Sequence, residues 1–63
     1  MTIYKFKVCF RNEEDVSQTE LKTYIIAGYM KDLNDAWKEV LQMATTWAKD
    51  HNQFISSIYY SLC

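Results

Sequence analysis

Along residues 3–11 the chain alternates, with Tyr4, Phe6, Val8 and Phe10 on one side and Ile3, Lys5, Lys7, Cys9 and Arg11 on the other. A period of two with one apolar side is the signature of a half-buried strand. Residues 12–19 are polar, with Glu13, Glu14 and Asp15 in a row and Val16 as the one apolar residue. No Asn-Gly or Asp-Gly pair marks a two-residue hairpin, so this stretch reads as a longer hairpin loop. Residues 20–29 form a second strand, dense in β-formers. Leu21, Thr23, Ile25 and Ala27 share one side, and Lys22, Tyr24, Ile26 and Gly28 share the other. Apolar residues on both sides imply that both are partly covered.

The period then changes. Leu33, Ala36, Trp37, Val40, Leu41, Ala44, Trp47 and Ala48 recur at helical spacing, while Asn34, Lys38, Glu39, Gln42, Thr45 and Lys49 occupy the opposite face. Asp32 is the expected N-cap, and Asp35 complements the positive end of the helix dipole. The stripe ends at Lys49-Asp50-His51-Asn52, where cations suit the helix C-terminus and Asn is a stop. Residues 53–63 form the last strand, with Phe54, Ser56, Ile58, Tyr60 and Leu62 on one side and Ile55, Ser57, Tyr59 and Ser61 on the other.

The expected fold is therefore α+β: a single ββαβ domain over residues 1–63, a three-stranded sheet with one amphipathic helix on one face. The third strand runs antiparallel to the first. Placing it beside the first strand, whose apolar side is cleanest, gives a mostly antiparallel sheet in the order 2-1-3; placing it beside the second gives a mixed sheet through a right-handed crossover.

Composition adds one constraint. Hydrophobic residues make up 49% of the chain and aromatics 16%, more than one helix on one sheet face needs to bury. A domain this small is marginally stable without a supplement, so a homodimer or a lasting partner is expected. The net charge of −1 gives no bulk attraction to nucleic acid or anionic lipid. The start of the chain alternates rather than offering an export signal, and the longest uncharged apolar run, residues 24–30, is too short to span a bilayer. With two cysteines expected to be free thiols, the expected location is the cytoplasm, with no membrane partner.

No residue cluster spells out a reaction. Cys9 and Cys63 lack metal-site spacing, and this topology sets them roughly 20 Å or more apart, against the ~4.4–6.8 Å between Cα atoms that a disulfide needs. His51 reads as a helix-end cation. Glu13, Glu14 and Asp15 lack the alternating ligands and turn glycine of a calcium loop and read as solvated charge that helps a basic partner recognise the protein. No cofactor, metal or catalytic residue is expected, and the chain is not read as an enzyme.

The sheet side away from the helix is the informative surface. The expectation assigns it Ile3, Lys5, Lys7, Cys9, Arg11, Lys22, Tyr24, Ile26, Ile55 and Tyr59. Rings and β-branched residues interleaved with cations fit three surfaces: a protein interface, a platform that stacks single-stranded nucleic acid, or a solvated face with lysine stems lying over rings. The expected partner-binding residues are Lys5, Lys7, Arg11, Glu13, Glu14, Asp15, Lys22, Tyr24 and Tyr59.

The run Tyr24-Ile25-Ile26-Ala27-Gly28-Tyr29 followed by Asp32-Leu33-Asn34-Asp35-Ala36-Trp37 resembles the strand, short turn and capped helix of many small ββαβ proteins of phages and mobile elements. That group includes anti-CRISPR proteins and other inhibitors used in host takeover. The resemblance implies a protein that acts by occupying a surface on a host protein or a protein–nucleic-acid complex, in the host cytoplasm. The alternatives are a small single-strand nucleic-acid-binding domain and a structural homodimer subunit.

Overall fold

The computed structural model describes residues 2–61. They form β1 (Thr2–Asn12), β2 (Thr19–Gly28), α1 (Leu33–Asp50) and β3 (Gln53–Ser61). Both pairings are antiparallel and the strand order is β2-β1-β3, so the expected ββαβ arrangement is present, with β1 central.

The core lies between the sheet and α1. Phe6, Val8 and Phe10 of β1, Ile26 of β2 and Ala36, Val40, Ala44 and Ala48 of α1 are buried. The four helix residues are four apart and stack along one stripe. Three of them are alanine, so the helix backbone lies close to the sheet and the larger side chains fill the flanks. Trp37 packs on Phe6 with ring centroids 5.1 Å apart, and Trp47 on Phe10 at 4.6 Å. Tyr60 closes the first cluster, 5.5 Å from Phe6 and 6.1 Å from Tyr4. Tilted pairs of this kind contribute about 0.5–1.5 kcal/mol each beyond their area burial.

The helix ends follow the sequence signals. An Asp32 carboxylate oxygen accepts from the Asp35 amide at 2.8 Å, and the chain leaves α1 through Asn52 at φ 53°. Left-handed backbone of that kind favours Asn or Gly. A second such position is Met30, at φ 56°, while the chain's one glycine, Gly28, has negative φ. Gly28 has another use, since a Cβ there would sit 3.2 Å from the Lys31 stem. The Tyr4 hydroxyl donates to the Lys31 carbonyl at 3.0 Å and holds this connection against the sheet.

Two expectations about strand faces are corrected. The β1–β2 register pairs Tyr4 with Ile26, Phe6 with Tyr24 and Val8 with Lys22. Lys22, Tyr24 and Ile26 therefore lie on the helix side, and Leu21, Thr23 and Ile25 on the open side. The cause is hairpin parity. The paired ends Arg11 and Thr19 are eight positions apart, so even-numbered residues stay with even-numbered ones across the pair. In β3 the register shifts between Cys9 and Phe10: Cys9 pairs with Ser57 but Phe10 with Ile55, leaving Ser56 as an extra residue. This bulge sends Ile55 to the helix side with Ile58 and Tyr60 and sets Phe54 opposite Arg11. The expected alternation of Phe54, Ser56, Ile58 and Tyr60 is thus broken at Ser56, and Leu62 lies outside the described residues.

Because Ala44 is fully buried under the helix, Ala44→Leu should push α1 off the sheet and cost about 1–3 kcal/mol. Urea titration followed by tryptophan fluorescence should show a lower midpoint with an unchanged slope. An unchanged midpoint would show that the helix does not depend on that close approach.

Candidate interaction surface

The sheet face opposite α1 is built by alternation along β1 and β2 and, in β3, by alternation interrupted at the Ser56 bulge. β1 contributes Ile3, Lys5, Lys7, Cys9 and Arg11; β2 contributes Leu21, Thr23 and Ile25; β3 contributes Tyr59, Ser57 and Phe54. Across the strands Lys5 faces Ile25, Lys7 lies between Thr23 and Tyr59, and Cys9 lies between Leu21 and Ser57. Exposure is high where apolar residues would otherwise be buried: Ile3 48%, Leu21 60%, Ile25 64% and Tyr59 60%. A single exposed apolar residue is ordinary; here these four large ones share one face.

Charge is sorted between the two sides. Lys5, Lys7 and Arg11 run down the central strand of the open face, and no carboxylate lies on that face among the described residues. Of the eight Asp and Glu, Glu13, Glu14 and Asp15 are in the β1–β2 loop, Glu20 pairs with the buried Phe10 on the helix side, and Asp32, Asp35, Glu39 and Asp50 belong to α1 or its cap. A net charge of −1 therefore conceals a cationic face.

The three cations are not equivalent. Arg11 is committed within the fold: its Nη1 donates to the Val16 carbonyl at 2.6 Å and its Nε to the Ser56 hydroxyl at 3.2 Å. It clamps the hairpin loop to the β3 bulge. Lys5 and Lys7 make no hydrogen bond or ion pair among the described residues.

The acidic loop at the Arg11 end is ordered by its own side chains. Asn12 Oδ1 accepts from the amides of Glu14 at 2.8 Å and Asp15 at 3.1 Å, and Asp15 Oδ1 accepts from the Ser17 hydroxyl at 2.6 Å and amide at 3.1 Å. The hydroxyl bond first, and the amide bond second, hold the Asp15 carboxyl below its ordinary value. The Glu13 amide donates to the Asn52 carbonyl at 3.0 Å, joining this loop to the α1–β3 turn.

The expected partner-binding residues thus divide into three groups. Lys5, Lys7, Arg11 and Tyr59 share the open face, and Glu13, Glu14 and Asp15 flank its end. Lys22 and Tyr24 are on the other side of the sheet. The Lys22 ammonium lies 4.4 Å from the Trp47 ring centroid, and His51 stacks on the same indole at 4.3 Å. Lys22 therefore covers the edge of the core. The Tyr24 hydroxyl is buried without a hydrogen-bond partner among the described residues, and burial pushes its pKa up. Leu21, Ile25 and Phe54 were missed by the sequence reading. The first two follow from the β1–β2 register, a long-range property, and the bulge that places Phe54 has no simple sequence signal.

No family model matches the chain, and no curated protein or solved structure matches it. Among the described residues no cluster of three or more His, Cys, Asp and Glu forms, and no helix is long and apolar enough to cross a membrane. Cys9 is a half-buried free thiol, and Cys63 lies outside the described residues.

The orphaned Tyr24 hydroxyl gives a prediction with a definite sign. The fold raises the phenol's pKa above its ordinary 10.0, so the unfolded chain ionises first. Stability is retained below that value and lost as pH rises through the folded value. Tyr24→Phe removes both the unpaired donor and the titration. Its urea midpoint should equal or exceed that of the parent at neutral pH and decline less above the ordinary tyrosine range. A lower midpoint at neutral pH would mean that the hydroxyl has a partner.

Proposed function

We propose that this chain is a non-enzymatic protein-binding module that occupies a surface of a larger host protein or protein–nucleic-acid complex with its open sheet face. The observation that carries this reading is the exposure of Ile3, Leu21, Ile25 and Tyr59 around Lys5 and Lys7 on a face that no element covers among the described residues. Tyr and other aromatic residues are enriched at protein interfaces relative to the rest of the surface, and here exposed apolar and aromatic side chains flank a central pair of lysines. The resemblance to small ββαβ inhibitors of phages and mobile elements supplies the setting: an inhibitor of a host defence or nucleic-acid-processing complex, working in the host cytoplasm. Glu13, Glu14 and Asp15 form an acidic rim beside the face, placed to meet basic groups at the edge of the target.

A second reading is supported by one local feature. Tyr59 stands opposite Lys7 and Phe54 opposite Arg11, and rings beside cations are the elements of a single-strand nucleic-acid platform. Such binding would weaken steeply with added salt, because phosphate contacts release counterions.

Substitutions confined to the open face test the leading reading. The triple variant Lys7→Ala, Ile25→Ser and Tyr59→Ala should keep its far-ultraviolet circular dichroism. It should also lose specific partners captured from host extract by roughly tenfold or more, the scale of a removed hot spot. Lys38→Ala, on the exposed side of α1, should retain them. Equal capture by the triple variant and the parent would remove the open face from the interaction.

A further inference from the structure

The charge sorting of the sheet identifies the chemistry of the partner. We propose that the open face binds an acidic protein segment whose carboxylates are flanked by apolar side chains. This inference rests on the reading of that face as the contact surface and adds what lies on it.

Lys5 and Lys7 form the centre of the face and have no carboxylate beside them among the described residues. As alternate residues of one strand they stand about 6.6 Å apart. Carboxylates at alternate positions of an extended segment have the same spacing, and those at i and i+4 of a helix lie about 5–6 Å apart at Cβ. To one side of the lysines run Leu21 and Ile25, exposed and aliphatic; to the other stands Tyr59. A complementary ligand places its carboxylates over the central strand and its apolar groups over β2 and Tyr59.

Two other occupants fit less well. A second copy docking face to face would set one lysine column against another, and like-charge juxtaposition opposes that contact. A nucleic-acid strand needs a cationic track along its length, but here the track is short. Arg11 is already bonded to Val16 and Ser56, and Glu13, Glu14 and Asp15 follow at that end. The aliphatic row on β2 also provides no ring for a base to stack on. Apolar rows alongside paired cations are matched by a protein, which can place acids and hydrophobes at chosen positions.

The test is a selection from a random peptide display library on the immobilised full chain, followed by titration of the selected peptides. The expected peptides are enriched in Asp and Glu beside aliphatic or aromatic residues. Their affinity should fall roughly tenfold or more in the double variant Lys5→Glu, Lys7→Glu and stay within about twofold in Lys38→Glu, Lys49→Glu, which carries the same net charge but alters α1. Circular dichroism of both variants reports folding, and Lys7→Gln alone supplies a milder loss should the reversal unfold the chain.

Three results would overturn the inference. Selected peptides without acidic enrichment that still depend on Ile25 and Tyr59 would remove the acidic partner while leaving the open face as the contact surface. Salt-sensitive binding of an oligothymidylate to the same lysines, in competition with the peptides, would replace the protein ligand with nucleic acid. A selection that yields no peptide dependent on any open-face residue would remove both this inference and the reading on which it rests.

Discussion

The structure depends on how closely one helix can lie against one face of a narrow sheet. Ala36, Ala44 and Ala48, with Val40 between them, remove side-chain bulk along the contact line and bring the α1 backbone over Phe6, Val8 and Phe10. The two tryptophans then close the flanks, Trp37 over Phe6 and Trp47 over Phe10. A helix with leucines on that line would stand further off and leave those rings short of contacts. Small residues in the middle and large ones at the margins thus share the core between them.

Among the described residues α1 covers one side of the three-stranded sheet and no element covers the other. The uncovered side is neither uniformly polar, as a solvated face would be, nor uniformly apolar, as a face awaiting a second helix would be. Its cations lie on the central strand, its apolar residues flank them on the outer strands and, at Ile3, at the end of the central strand, and no carboxylate lies on it among the described residues. Such an arrangement opposes stacking against a copy of itself and leaves an anionic partner free to approach.

Most of the architecture was legible in the sequence because each signal was local. Alternation from Ile3 to Arg11, the helical stripe from Leu33 to Ala48, the Asp32 cap and the Asn52 stop all arise within a few residues, and strand order followed from the clean apolar side of the first strand. The faces of the outer strands were harder to read. β2 has apolar residues on both sides, and Tyr24 and Ile26 looked as suited to the open face as Leu21 and Ile25. Pairing with β1 settles that choice, and pairing is a long-range property. The placement of Lys22 was hidden for the same kind of reason, because a lysine reads as solvent-facing until an indole such as Trp47 lies within its reach. In β3 a single unpaired residue, Ser56, reversed the reading of Phe54 and Ile55.

That unpaired residue also sets where the chain tolerates a change of length. Elsewhere in a strand, removing one residue turns every later side chain to the opposite face. At Ser56 the opposite holds, because Cys9 already pairs with Ser57 and Phe10 with Ile55. Shortening the chain there would make the ladder regular and keep Ile55 under the helix and Tyr59 on the open side. The cost would be the contact between Arg11 and the Ser56 hydroxyl, and with it part of the clamp on the acidic loop. Ser56 is thus a spare residue for the fold but not for the posture of the loop, so architecture and loop placement can vary independently at one position.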